Sequence, residues 1–307
     1  MRKFLATLGR VLVTSGILIL LFVAYQLWGT GIYQARAQSD LRNKFERTLA
    51  TTTTSAATTT TPGATETTAT PTSLPAITIP PRGDPTALVS IPKIGVRQVV
   101  VEGVDVDDLR KGPGRYPATQ LPGHEGTTAV AGHRTTYGAP FGELDQLAAG
   151  DEIVLTTVQG TFAYEVTELK VVDPNDGSVL ANVPDISRPG HSLATVTLTT
   201  CNPKYSAATR LVVLGSLRLP KGQSEPLPTV TVPDGKKATQ IAGLSGEQSS
   251  RTPAIFLGLI AALIGLLWWW WFHRYPRWTT WIVGSVPFLA ALFAFYVYFE
   301  RLLPSNY

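Results

Sequence analysis

Apolar residues in this chain gather into three long runs, with a stretch of alternating character between the first and the second. Val11 to Trp28 (VLVTSGILILLFVAYQLW) is almost uncharged and long enough to cross a bilayer as a helix. Ala254 to Phe272 and Trp281 to Phe299 are two further runs of this kind, the first ending in the aromatic block Trp268-Trp269-Trp270-Trp271-Phe272. From Asp84 to Pro220 the pattern changes to short β-branched segments separated by turn residues. Strands are predicted at Ala87–Ile91, Arg97–Glu102, Thr127–Ala131, Glu152–Thr157, Thr161–Val172, Leu193–Thr200 and Arg210–Leu217. Gln159-Gly160 between two of them predicts a tight hairpin. Short helices are predicted at Val106–Leu109 and Phe141–Leu147. Seven or eight short strands at this spacing predict a closed barrel or a sandwich.

The remaining segments connect these blocks. Gln38 to Leu49 reads as a polar helical stalk. Thr51 to Pro81 is dominated by threonine, with alanine and proline; such a tract buries too little apolar surface to offset its ordering entropy and predicts a disordered spacer. The expected organisation is a cytoplasmic N-terminus (1–10), a membrane anchor (11–28), a Thr/Pro-rich stalk (29–83), a β domain (84–220), a linker (221–253), a membrane helix (254–272), a basic turn (273–280), a last membrane helix (281–299) and a tail (300–307).

The net charge of +4 is dispersed and in part a topology signal. Arg2, Lys3 and Arg10 precede the first run, and Arg274 and Arg277 lie between the last two, so both flanks are expected in the cytoplasm and the β domain outside it. Ala35-Arg36-Ala37, the nearest small-x-small site, lies several residues past the first run, which favours an uncleaved anchor over a removed signal peptide. No Lys/Arg cluster with interleaved aromatics points to nucleic acid.

Candidate chemistry centres on Cys201, the single cysteine. An extracytoplasmic thiol with no disulfide partner in its own chain is either a buried small hydrophobe or a used group. It ends the run Val196-Thr197-Leu198-Thr199-Thr200-Cys201, and strand ends are where catalytic groups are commonly displayed. Arg210 opens the next strand, so antiparallel pairing would bring a permanent cation beside the thiol, able to stabilise an oxyanion. Among four histidines, His133 alone follows a clear strand, through Gly132, and could serve as acid and base. No ligand spacing for a metal appears, and no cofactor is expected.

The string Thr197-Leu198-Thr199-Thr200-Cys201 matches the TLxTC signature of the sortases, with His133 and Arg210 falling where that family places its histidine and arginine. Ala131-Gly132-His133-Arg134-Thr135-Thr136-Tyr137-Gly138-Ala139-Pro140-Phe141 and Gly112-Pro113-Gly114-Arg115-Tyr116-Pro117 resemble the actinobacterial class E sortases. The resemblance covers Ala87 to Leu217. It implies an all-β fold, a closed eight-stranded barrel with short helices, here joined to three transmembrane helices. It implies a membrane enzyme that cleaves an LAxTG-like C-terminal sorting signal between Thr and Gly, holds the protein as a thioester on Cys201, and transfers it to the amine of a lipid II-like peptidoglycan precursor. By position, His133 is the acid/base, Cys201 the nucleophile and Arg210 the oxyanion stabiliser. Thr200 would hold the substrate backbone, and Tyr116, with Tyr137 as its rival, would read the alanine of the motif. Two further readings stay open: a peptidase with water as acceptor, and a stalked binding or sensor module with a non-catalytic barrel.

Overall fold

The computed structural model describes residues 2–57, 79–219, 225–231, 252–275 and 278–299. The threonine tract over 58–78, most of the 221–253 linker and the 300–307 tail lie outside these residues. The chain divides into two compact units, one made of the apolar helices and one built on the β domain.

The β domain is a closed barrel with strand order β1-β2-β3-β4-β7-β8-β6-β5. The strands are β1 (Pro85–Ile91), β2 (Val96–Glu102), β3 (Gly114–Arg115), β4 (Thr127–Ala131), β5 (Glu152–Thr157), β6 (Gly160–Val172), β7 (Thr195–Asn202) and β8 (Thr209–Arg218). Pairing is antiparallel except for β2 with β3 and β4 with β7. Seven of the eight overlap the segments predicted from alternation. β3 is only two residues long, too short to show a period. Closure leaves no open sheet edge.

Alternation along each strand sorts side chains into two layers. Val89, Ile91, Val130, Leu155, Tyr164, Val196, Leu198, Leu211 and Val213 fill the barrel interior, joined by Phe141, Leu144 and Leu147 from the segment after β4. That segment is helical only over Leu144–Gln146, as a 3₁₀ turn. The opposite face of β4 and β8 presents Ala129, Ala131 and Val212 to Tyr116 and Val179. Val179 sits in a 3₁₀ turn over Gly177–Leu180.

The folded unit is larger than composition predicted, at both ends. Helix α2 (Thr30–Ala57) occupies much of the segment read as a stalk. It docks on β1, β2 and the turn after β4 through a stripe of Thr30, Gln34, Gln38, Leu41 and Phe45, spaced four, four, three and four residues apart. Leu41 joins Val99 and Val101 in an apolar cluster, and Phe45 is also buried; each such burial contributes roughly 1.5–3 kcal/mol. Gln38 acts as a strand mimic: its Nε2 donates to Val99 O (3.0 Å) and Lys111 O (2.9 Å), and its Oε1 accepts from Val99 N (2.8 Å). At the other end, residues 225–231 strap back onto the barrel. Leu227 N donates to Gly123 O (2.9 Å) and Glu125 N to Leu227 O (2.7 Å). Both His124 ring nitrogens are engaged here, with Pro228 O (2.6 Å) and Gln159 Oε1 (2.7 Å).

The second unit contains α1 (Arg2–Ala24), which runs into a π-helical turn (Tyr25–Gly29), with α4 (Thr252–Arg274) and α5 (Trp278–Phe299). Among the described residues, α4 and the Ile282–Phe299 part of α5 are long and apolar enough to cross a membrane, whereas the apolar stretch of α1 is shorter, Leu12–Ala24. Of the three expected membrane helices the structure therefore supports two by this measure. Short α3 (Val106–Leu109), in the β domain, leads toward β3.

Candidate active site

Strand register brings Cys201 and Arg210 together. β7 and β8 are antiparallel neighbours, and Cys201 is the residue directly opposite Arg210. β7 runs one residue beyond the thiol, to Asn202. On its other side β7 pairs in parallel with β4, Ala131 opposite Thr199 and Gly132 N donating to Thr199 O (3.0 Å). Continuing that register by two residues sets His133 level with Cys201. Alternation then gives all three side chains the same face, because Ala131, Thr199 and Val212 each lie two residues away from them. All three are buried: Cys201 is 4 % exposed, His133 2 % and Arg210 3 %.

Local packing holds each of them. Gly132 is needed before His133, since a Cβ there would come within 2.6 Å of the Phe141 ring. Phe141 N donates to His133 O (3.0 Å), closing the turn. The Arg210 guanidinium donates to Ala207 O (3.1 Å) and Thr209 O (3.2 Å), so the β7–β8 loop fixes its direction. The Asn202 amide donates to Thr209 Oγ1 (3.0 Å), and that hydroxyl donates to Asn202 O (2.9 Å), tying the loop's two ends.

Tyr116 and Tyr137 both border this cluster, in different ways. The Tyr116 hydroxyl pairs with Thr199 Oγ1 (3.1 Å), one pleat below Cys201 on the same face. Burial pushes the Tyr116 phenol up to about 12; its bond to Thr199 and the charge of Arg210 pull the other way, and Cys201 adds to the rise. The phenol is therefore neutral at any working pH and within electrostatic reach of both groups. The Tyr137 ring lies 5.0 Å from the His133 ring, 33° from coplanar, and its hydroxyl accepts from Arg110 Nε (2.6 Å).

Thr200, expected to hold the substrate backbone, stands apart from this cluster. As the immediate neighbour of Cys201 it belongs to the opposite face, paired with core residue Leu211. Its hydroxyl donates to Gly132 O (2.8 Å). That bond ties β7 to the residue before His133 and leaves the donor engaged within the protein.

Arg134 and Arg115 were not singled out by sequence reasoning. Arg134 Nη1 donates to Cys201 O (3.1 Å) and to Asn202 Oδ1 (2.8 Å), while Nη2 pairs with Asp145 (3.2 Å). Next to His133 in sequence, it cross-links the histidine's turn to the cysteine's backbone. Arg115 forms a bidentate pair with Glu102, Nε to Oε2 at 2.7 Å and Nη2 to Oε1 at 2.6 Å, with both side chains almost fully buried. Its Nη1 also donates to the carbonyls of Tyr116 and Thr119, which fixes the loop carrying Tyr116. Both arginines stand in the strings that carry the family resemblance, but an arginine's partners cannot be read from its position alone.

Comparison with known proteins adds to this geometry. Residues 89–218 match the sortase domain family. Over 237 residues the chain is 32 % identical to sortase SrtE1 of Streptomyces coelicolor, covering 71 % of this chain and 59 % of the relative's length. It is 32 % identical over 164 residues to sortase D of Bacillus subtilis, covering 53 % of this chain and 78 % of that protein. Among solved structures, sortase E from Streptomyces avermitilis is 38 % identical, covers 45 % of this chain and 91 % of its own, and superposes with a TM-score of 0.40. The chain belongs to the sortase family, with class E members among its relatives.

Proposed function

We propose that this chain is a membrane-anchored cysteine transpeptidase acting on an LAxTG-like C-terminal sorting signal. The observation that carries the reading is the strand register that sets Cys201 opposite Arg210 and level with His133 on one buried face. In this reading the Cys201 thiolate adds to the threonine carbonyl carbon of the Thr–Gly bond. The oxyanion that forms is stabilised by the Arg210 guanidinium, whose attraction is strengthened by burial. The His133 imidazolium gives its proton to the glycine nitrogen as the C–N bond breaks, leaving a thioester on Cys201. An amine then attacks the thioester, His133 takes the proton it loses, and the thiolate departs. Tyr116, a neutral phenol beside the thiol, contributes to the pocket for the signal's side chains.

The apolar helices α4 and α5 support membrane attachment. With α1 as a third crossing and basic residues at the cytoplasmic turns, the barrel would face the cell wall, where a lipid II-like precursor offers the acceptor amine. The test is product analysis with a sorting peptide and increasing amounts of a primary amine. The amide product should rise at the expense of the free acid, and Cys201→Ala should form neither. Free acid alone at saturating amine would make water the acceptor. No cleavage under any condition would leave a binding module.

A further inference from the structure

We infer that Arg110 is a positioning residue for His133, acting through Tyr137, and that the first turn of α2 completes this support; the inference rests on reading His133 as the acid/base. Tyr137 sits in the turn that leaves His133, with a left-handed backbone (φ 50°) that a tyrosine adopts only when its surroundings hold it. Its ring lies against the imidazole at 5.0 Å between centroids. Its hydroxyl accepts a 2.6 Å bond from Arg110 Nε, and the Arg110 guanidinium carbon lies 5.4 Å from the same ring's centre. Arg110, Tyr137 and His133 are all buried.

Helix α2 holds this group from the other side. Tyr137 N donates to Thr30 Oγ1 (3.3 Å), and Thr30 is itself buried in the helix's first turn. Tyr33, one turn on, meets Tyr137 edge to face at 6.3 Å and lies 6.0 Å from the Arg110 guanidinium carbon. The next turns fasten the helix: Gln34 donates to Gln98 Oε1 (2.8 Å), and Gln38 caps Val99 and Lys111, the residue after Arg110. A buried arginine is costly to place, and an ion pair of Arg110 runs to Asp107 at 3.7 Å, a largely exposed carboxylate. The Tyr137 hydroxyl and the rings of Tyr33 and Tyr137 lie against the Arg110 guanidinium, and the Tyr137 ring in turn lies against the imidazole. Small displacements of a proton-transfer group cost rate rather than binding.

The test is steady-state kinetics on the full chain in detergent with a sorting peptide. Tyr137→Phe keeps the ring and its burial but removes the acceptor; Arg110→Met removes the donor and keeps the stem. Each should lower kcat by about ten- to a hundredfold with KM within about twofold. The double variant should be no worse than the poorer single, because both cut one bond. Arg110→Lys, which keeps the cation, should recover part of the loss. Thr30→Val should lower kcat and Thr30→Ser should not. Should Arg110→Met fail to fold, Tyr137→Phe decides. Unchanged kcat in Tyr137→Phe, or a raised KM with kcat intact, overturns the inference, the latter making Tyr137 a substrate contact. Activity surviving in Cys201→Ala or His133→Ala would instead sink the underlying reading, so the two failures are distinguishable.

Discussion

At the scale of the residue, one position along a strand decides what a side chain can do. Cys201 and Thr200 are adjacent, yet alternation sends them to opposite faces, one into the candidate site and the other toward Gly132 O. Thr200→Val keeps the shape and leaves that carbonyl without its donor, at a cost of roughly 1–3 kcal/mol. Because the bond tethers the turn carrying His133, kcat should fall while KM for the sorting peptide holds. A rise in KM alone would return Thr200 to the substrate. The positions of Cys201, Arg210 and His133 were legible because each ends or opens a strongly β-branched run. The role of Arg134 was not legible: its partners, Cys201 O and Asp145, lie 67 and 11 positions away in the chain, and only the fold unites them.

At the scale of the element, the shortest strand carries the most concentrated polar chemistry. β3 is two residues, and one of them, Arg115, meets Glu102 across the parallel β2–β3 pair. Gly114 beside it admits no side chain, since a Cβ would fall 2.1 Å from Gly103 O. Arg115→Met should destabilise the chain by about 3–5 kcal/mol, because it strands the buried Glu102 carboxylate. Adding Glu102→Gln should restore a large part of that loss, as read from urea unfolding. If the double variant is no more stable than the single, the pair is not the reason for the loss. Seven strands could be read from alternation and turn residues, but β3 has no period to read. The helical character of Gln38–Leu49 was readable, but the docking of α2 on the barrel escaped for another reason. Its docking stripe is largely polar, Thr30, Gln34 and Gln38 preceding Leu41 and Phe45, so its composition matched a solvated stalk while its spacing was helical.

At the scale of the whole molecule, the barrel and its two straps form one folded unit, and two buried phenols make it sensitive to alkali. Burial pushes Tyr116 and Tyr164 each up to about 12 from a usual value of 10. Between those values the unfolded chain releases both protons while the native state keeps them. Stability is therefore complete below pH 10 and falls as pH rises through this window, by roughly 1.4 kcal/mol per pH unit for each phenol. Tyr116→Phe and Tyr164→Phe should each remove about one proton from the slope of unfolding free energy against pH. An unchanged slope in either variant would mean that its phenol ionises normally in the fold. The closed barrel could be anticipated from strand count and from family resemblance. Two runs apolar and long enough to cross a membrane were readable, and they became α4 and α5.

The central claim is that Cys201 carries the acyl group. Mass spectrometry of the full chain, quenched in acid during turnover of an LAxTG-containing peptide, tests it most directly. The expected result is a mass increase equal to the peptide ending at its threonine less one water, mapped to the fragment containing Cys201 and discharged by hydroxylamine. A chain that cleaves the peptide with Cys201 unmodified throughout, or with the adduct on another residue, would contradict it.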